Sequence, residues 1–285
     1  MMISDVRVTL EGGLGNQMFQ FAFARRLADC LEVPLRIDTS VLDADRPGIT
    51  RRSFALRLLP GLEDLETECL GEDAPDVVRV GDDVGDAPGA YEALAERLRA
   101  SPAASAVRVR GFFQKYGLMT DEAIEPFRGV SRLLDDGLGR QEDEAPRKEV
   151  AVHVRRGDYV SLPAARRFHG VLGRPYVRTA MTRVDRPFDH VHVFSDDPDW
   201  CASRLRFDVD SSVVPHASAG EQGERHLARM ASFDILLIAN SSFSWWAARL
   251  AEARNPDVLI VAPGASIWFR GKPGKSAPLI PNHWR

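Results

Sequence analysis

The sequence predicts an α/β protein of two halves, each built on its own parallel sheet, with ligand expected between them at strand C-termini. Three observations carry that expectation. The chain opens with a strand pattern, a glycine turn, a helical run and a second strand. From residue 150 a regular alternation of short apolar runs and helical stretches begins. Between them, "DDGLGRQEDEAPRKE" at 135–149 is charged and poor in apolar residues, as an interdomain linker or surface crossover would be. The expected halves are 1–146 and 147–285.

In the first half, "DVRVTLE" (5–11) alternates polar and apolar residues and reads as a strand. "GGLGNQ" is a turn. The run after it spaces Met18, Phe19, Ala22, Leu27, Ala28 and Leu31 near i, i+3, i+4, which is helical. "PLRID" (34–38) is a second strand. Residues 71–90 are broken by Gly, Pro and Asp and predict loops around one short strand. "AYEALAERLRA" predicts a helix and "SAVRVRGFFQ" a strand ending at a glycine. In the second half, "VAVHV", "HVHVFSD", "SSVVP", "DILLIAN" and "DVLIVAP" are strands. "PYVRTAMTRV", "PDWCASRLRF", "GERHLARMASF" and "SWWAARLAEA" are the helices between them.

Composition excludes several classes. With 285 residues, 44% hydrophobic and 27% charged, the chain is globular rather than disordered. A net charge of −4 argues against a nucleic-acid binder, which usually carries a basic balance. The arginines come in local pairs (Arg25–Arg26, Arg51–Arg52, Arg155–Arg156, Arg166–Arg167), better suited to a small phosphorylated ligand than to a polymer. Cys30, Cys69 and Cys201 are odd in number and far apart, so reduced, buried thiols are expected. The opening "MMISDVRVTLEGGLGNQ" lacks a basic region followed by an apolar core, so no signal peptide is expected, and no run approaches about 18 uninterrupted apolar residues. A soluble, cytoplasmic protein without an integral membrane segment is the expectation.

Polar clusters follow three strands of the second half, and in a parallel sheet such loops share one edge. "HVRRGDY" (153–159) carries His153, Arg155, Arg156, Gly157 and Asp158. It reads either as a solvated ion-pair cluster or as an anion site, with one arginine on ligand and the other bracing the loop against Asp158. "FSDDPDW" (194–200) offers Asp197 as a helix N-cap before Pro198, and Asp196 as the freer ligand. "ANSSFSWW" (239–246) places Asn240, Ser241, Ser242 and Ser244 at a helix mouth, either as a phosphate seat or as an ordinary serine cap. Trp245 and Trp246 are expected to pack in the core.

The first glycine turn can be read differently. Gly13-x-Gly15, followed by Asp38 at the end of the next strand, partly matches a dinucleotide fingerprint, but Met18 stands at the third glycine position. An NAD(P)-linked oxidoreductase is therefore the second reading. A non-catalytic nucleotide-sugar-binding protein is the third.

Taken together, "GGLGNQMFQFA", "HVRRGDYV", "VFSDDPDW" and "IANSSFSWWAARL" resemble the α-1,2-fucosyltransferases of glycosyltransferase family 11 in identity, order and spacing. "FHGV" (168–171) and "APGASIWF" (262–269) agree too, whereas residues 40–145 offer little to match. The resemblance implies two facing Rossmann-like domains of the GT-B kind, the first on the acceptor side and the second binding GDP-L-fucose. It implies inverting transfer of fucose to the 2-hydroxyl of a β-galactoside, in a surface glycan or O-antigen unit, with no metal or other cofactor. A lipid-linked acceptor would bring the protein to the inner membrane face. By the same resemblance His153, Arg155 and Arg156 serve the donor diphosphate, Asp196 reads guanine, and Ser241 and Ser242 hold phosphate. Gly15 and Asn16 lie near donor or acceptor. His169, Asp158 and Glu11 are the candidates for catalytic base, in that order. Phe21 and Ala247 stand where the family commonly has tyrosine and glycine, at expected packing positions.

Overall fold

The structure, a computed structural model, describes residues 2–43, 52–71, 76–101, 104–134, 148–214, 223–269 and 279–285. The chain forms two compact units, Met1–Arg128 and Gly129–Arg285. That division lies ahead of the 146/147 boundary expected from the charged stretch, of which residues 135–147 fall outside the described residues.

The N-terminal unit runs β1 (Val6–Thr9), α1 (Leu14–Leu31), β2 (Leu35–Asp38), α2 (Ser40–Asp43), β3 (Val77–Val80), α3 (Ala90–Arg99), β4 (Ala106–Val109) and α4 (Asp121–Ile124). Short 3-10 stretches lie at 56–58 and 116–118, and a third at 125–134 runs across the division between the units. The sheet is parallel throughout, in the order β2-β1-β4-β3. Helix α1 takes the apolar positions its spacing indicated: Met18, Phe19, Ala22, Leu27 and Ala28 are fully buried. It ends at Glu32, whose left-handed backbone (φ 59°) lets its N–H reach back to the Ala28 and Asp29 carbonyls. Phe21 is buried against Phe127, a packing role.

The C-terminal unit runs β5 (Glu149–Val154), α5 (Gly157–Ser161), α6 (Pro163–His169), α7 (Arg174–Met181), β6 (His190–Ser195), α8 (Pro198–Arg204), β7 (Asp210–Val213), α9 (Gly223–Ala231), β8 (Ile235–Leu237), α10 (Ser242–Arg254), β9 (Leu259–Val261) and α11 (Ala265–Trp268). Its parallel sheet has the order β7-β6-β5-β8-β9. Counted within the unit this is 3-2-1-4-5, the doubly wound order of dinucleotide-binding sheets. The N-terminal sheet departs from it: β4 pairs with β1 and pushes β3 to the edge. A Rossmann-like order therefore describes the second unit and not the first.

Strand alternation sorts the second core into two faces. Val150, Val152, Val154, Val191 and Val193 pack with Val177 and Ala180 of α7 and Cys201 of α8. On the opposite face Phe194 meets His226 of α9, and His153 meets Phe243 of α10. Trp245, Trp246 and Ala247 are fully buried, and the Trp245 indole N–H donates to the Leu279 carbonyl at 2.8 Å.

Of the three free cysteines only Cys201 is buried; Cys30 is half-buried and Cys69 exposed, which corrects the expectation of buried thiols. Arg25 and Arg26 are ion-paired to Asp29 and Glu92 on the surface of α1, as a solvated helix face would have them, rather than gathered for a ligand.

Candidate functional site

The strand order of the C-terminal unit singles out one place. Successive connections run from β5 outward to β6 and β7, then return to place β8 on the other side of β5. The crevice at the C-terminal ends of β5 and β8 is the switch point at which such sheets bind ligands. Arg155 and Arg156 follow β5 directly, and Asn240, Ser241 and Ser242 follow β8. Asp196 and Asp197 follow β6, the neighbour of β5.

The two arginines are held differently. The Arg155 Nη1 pairs with Asp196 Oδ2 at 2.7 Å, while Nη2 binds Asp158 Oδ1, and the guanidinium lies 5.3 Å from the Tyr159 ring centre. Burial alone would discourage the Arg155 charge; Asp196 and Asp158 outweigh it and raise its pKa. Both terminal nitrogens of Arg155 are thus committed. Arg156 donates through Nε to Asp197 Oδ2 at 2.8 Å and lays its guanidinium 3.9 Å from the Trp200 ring centre. Its Nη1 and Nη2 have no partner among the described residues. One arginine is a brace, and the other is anchored at its neck with the fork open.

Asp196 ties the loop together. Its Oδ1 accepts the Arg156 backbone N–H at 2.8 Å while Oδ2 faces Arg155. The approach is so close that a Cβ on residue 157 would run into Asp196 Oδ2, which is why glycine stands at 157. Asp197 caps α8, its Oδ1 accepting the Trp200 N–H at 3.3 Å with Pro198 in the first turn, as expected. The same carboxylate reaches Arg156, a second task that the capping role concealed.

His169 closes α6. Its ring stacks on Tyr159 with centres 4.4 Å apart and planes 5° from parallel, and Phe168 and Phe269 flank it. Burial pushes its pKa down to about 4, against the weaker pull of Asp158. The ring is neutral at physiological pH. The Tyr159 hydroxyl donates to the Asn240 carbonyl at 3.1 Å, and the Asn240 side-chain N–H donates to the His169 carbonyl at 2.8 Å. The loops after β5 and β8 are thereby stitched together. His153 is buried on the α10 side, its ring 5.6 Å from Phe243.

Ser241 is the N-cap of α10 with extended backbone, but its side chain makes no capping bond. The hydroxyl of Ser244 turns inward to the Ala239 and Ser241 carbonyls, both at 3.3 Å. The first-turn N–H groups of a 13-residue helix therefore meet no serine hydroxyl of their own, and Ser242 sits half-buried beside them.

The glycine turn of the N-terminal unit is a separate construction. Gly12 adopts φ +82°, and a Cβ there would lie 2.5 Å from Asn16 Nδ2. Asn16 Oδ1 accepts from Gln114 Nε2 at 3.0 Å. Gly15 is buried in the first turn of α1. Gln17 spends its whole amide inside: Nε2 donates to the Gly12 and Ser53 carbonyls and Oε1 accepts the Ala55 N–H, all at 2.9 Å. The Glu11 backbone N–H donates to Gln20 Oε1 at 3.0 Å, and the residue is half-buried. Asp38 is buried and ion-paired with Arg108 at 3.0 Å, accepting also from Thr9 and the Ser40 N–H. A carboxylate so engaged is not offered to a ribose, which removes the feature that made the oxidoreductase reading attractive.

Residue-level reading missed Trp200, the platform under Arg156, and Tyr159, the platform under His169. The available signal was spacing: Trp200 follows the cap Asp197 by three residues and so lies over the same first turn. Among the described residues no three His, Cys, Asp or Glu side chains converge as metal ligands would, and no helix is long and apolar enough to cross a membrane.

Comparison with known proteins adds to this geometry. A curated relative, an alpha-1,2-colitosyltransferase of Escherichia coli, is 33% identical over 138 residues, 47% of this chain and 46% of that protein. The galactoside alpha-(1,2)-fucosyltransferase 1 of Aotus azarae is 34% identical over 136 residues, 46% of this chain and 36% of that protein. The chain spans less than half the length of these relatives. Among solved structures, the fucosyltransferase NodZ from Bradyrhizobium aligns over 88% of this chain and 94% of its own, with a TM-score of 0.48 and 15% identity. The profile of glycosyl transferase family 11 matches residues 119–265, just over half of the sequence and all three loops around the β5–β8 crevice. The chain is a member of glycosyl transferase family 11.

Proposed function

We propose that the protein transfers L-fucose from GDP-β-L-fucose to the 2-hydroxyl of a β-galactoside, with inversion at the transferred carbon. The observation that carries this reading is the open fork of Arg156, fixed by Asp197 and Trp200 at the switch point of the C-terminal sheet. Breaking the fucose–phosphate bond gathers negative charge on the departing GDP. A guanidinium already held in place stabilises that charge without reorganising. The N-terminus of α10 with Ser241 and Ser242 supplies a second phosphate contact. Arg155, saturated by Asp158 and Asp196, keeps the loop in shape. His153 supports the loop from the β5 end, and Asp196 retains lone pairs that a guanine edge could use.

The attacking hydroxyl must lose its proton. His169 is neutral and its imidazole nitrogens have no hydrogen-bond partner among the described residues, whereas Asp158 is engaged by Arg155. We assign His169 as the base; a group with a pKa near 4 is a weak one, which suits a transition state in which the sugar carries most of the charge. Gly15, Asn16 and Glu11 belong to the acceptor side of this reading, and the acceptor is a glycan, free or lipid-linked. The donor sugar has a second reading: one relative is named for colitose, so GDP-colitose is the competing donor.

The test is GDP release from GDP-fucose, and in parallel from GDP-colitose, with lactose, galactosyl-N-acetylglucosamine and galactosyl-N-acetylgalactosamine. Slow release with donor alone and faster release with at least one galactoside is expected. A flat response across the panel overturns the reading. A melting temperature raised by NAD and not by GDP would instead favour the oxidoreductase.

A further inference from the structure

The N-terminal unit carries a second construction that this transfer reaction leaves unexplained. At the C-terminal end of β4 the chain passes through Gly111, Phe112, Phe113 and Gln114. Phe113 is one of two non-glycine residues among those described with a left-handed backbone (φ 52°), a conformation that is strained for a bulky residue. It is held there by burial and by stacking on Phe23 of α1, ring centres 4.0 Å apart and planes 3° from parallel. From the other side Asp82 clamps the turn, one carboxylate oxygen accepting the N–H groups of Phe112 at 2.8 Å and Phe113 at 2.7 Å. Gly111 is bare because a Cβ would stand 2.7 Å from that oxygen.

So much fixation holds one exposed side chain. Phe112 is 37% exposed while its neighbour Phe113 is 1% exposed. Scattered exposed apolar residues are ordinary on loops, but this one sits on a strained turn fastened at both ends. Its surroundings supply neutral amides. Gln114 is bonded to Asn16, which lies against the Gly12 turn after β1, and β1 is the sheet neighbour of β4. An exposed aromatic and an amide pair carried on the same turn, Phe112 two residues before Gln114, at the C-terminal edge of a parallel sheet, suit an uncharged ligand with one apolar face and several hydroxyls. A pyranose is such a ligand.

We propose that Phe112 is a hexose-stacking platform of the N-terminal unit, with Gln114 and Asn16 as hydroxyl partners, and that the sugar it takes is the galactose of the acceptor. The identity of the sugar rests on the transfer reaction proposed above; the platform does not. The strained turn fixes the ring before the sugar arrives, so little freedom is lost on binding.

Two measurements separate the claims. Saturation-transfer NMR with methyl β-galactopyranoside and lactose reads sugar binding directly, without turnover. Signal on the ring protons of galactose in the wild type, lost in Phe112→Ala and kept in Phe112→Trp, supports the platform even if no transfer occurs. In the transfer assay, Phe112→Ala should raise the KM for the galactoside about tenfold, the size of one lost stacking contact, with the loss on that KM rather than on the KM for GDP-fucose. A wild type that transfers fucose while Phe112→Ala keeps both its NMR signal and its acceptor KM overturns the platform and leaves the reaction standing. A wild type showing no galactoside signal in either experiment overturns it as well.

Discussion

The chain contains two turns of the same plan, one after β1 and one after β5, each a glycine-bearing step from a central strand into a helix. In each, a glycine gives way to a side chain pressed against it: Gly12 to Asn16, and Gly157 to Asp196. Their chemistry diverges. Around the β1 turn the Gln17 amide is spent on three backbone groups and Asp38 is closed onto Arg108, while the Asn16 amide is engaged through its oxygen by Gln114. Around the β5 turn three carboxylates meet two guanidiniums, and the geometry still leaves one fork unfilled. A glycine turn is not in itself a binding site. What distinguishes the two is whether the surrounding network leaves a cation open to an anion.

The comparison can be broken from either side. Asp38→Ala should give the largest loss of stability, since it leaves Arg108 buried without its carboxylate; about 3–5 kcal/mol is expected, read by urea unfolding. If nucleotide binding changes while stability does not, Asp38 is not closed onto Arg108. Arg156→Ala should leave the fold intact and lower GDP-fucose turnover by about 10²–10³-fold, and Arg156→Lys should recover part of it without restoring the planar fork. Normal turnover in Arg156→Ala at saturating donor would make Arg155 the diphosphate ligand and reverse the assignment of brace and fork.

His169 gives a smaller, pH-dependent effect. Its folded value, about 4, lies below its ordinary 6.5, so between those values the unfolded chain holds the proton and the folded chain does not. Stability therefore falls as pH drops from about 6.5 to about 4 and changes no further below that. The cost is on the order of 2–3 kcal/mol at full strength. His169→Phe should flatten that slope in thermal melts across the window; an unchanged slope would mean the ring is not buried neutral. The smallest effect is expected at Gly157→Ala, where Asp196 must retreat. About 1–2 kcal/mol of stability and a several-fold weaker hold on GDP should follow, measurable by calorimetry.

These particular residues also show how far the amino-acid pattern reaches. The nine strands among the described residues and the longer helices were legible, because Val-rich runs such as "VAVHV" and the helical spacing of Met18, Ala22 and Leu27 report burial locally. Helices α5 and α6 were not. Residues 157–169 carry no apolar period, α6 buries none of its side chains fully, and the segment is held by partners at 196 and 240. The order β2-β1-β4-β3 was hidden for a similar reason, since sequence alternation gives strands and not their neighbours. The site itself divides in the same way. Strand alternation would split Arg155 and Arg156 only if the strand ran through them, but β5 ends at Val154, and their different roles depend on Asp196 and Asp197, some forty positions downstream. Asp38 misled because Arg108, 70 residues away, takes its charge.

The stack of Arg156 on Trp200 has an optical consequence. Of five tryptophans, Trp245, Trp246, Trp268 and Trp284 are each no more than 6% exposed, whereas Trp200 is only half-buried, with a cation over its face. An anion captured by that cation would alter the field at the indole, and a water-borne quencher such as iodide would reach this ring ahead of the other four. The protein thus carries a built-in fluorophore at its fork, able to report occupancy by a change in emission without any label.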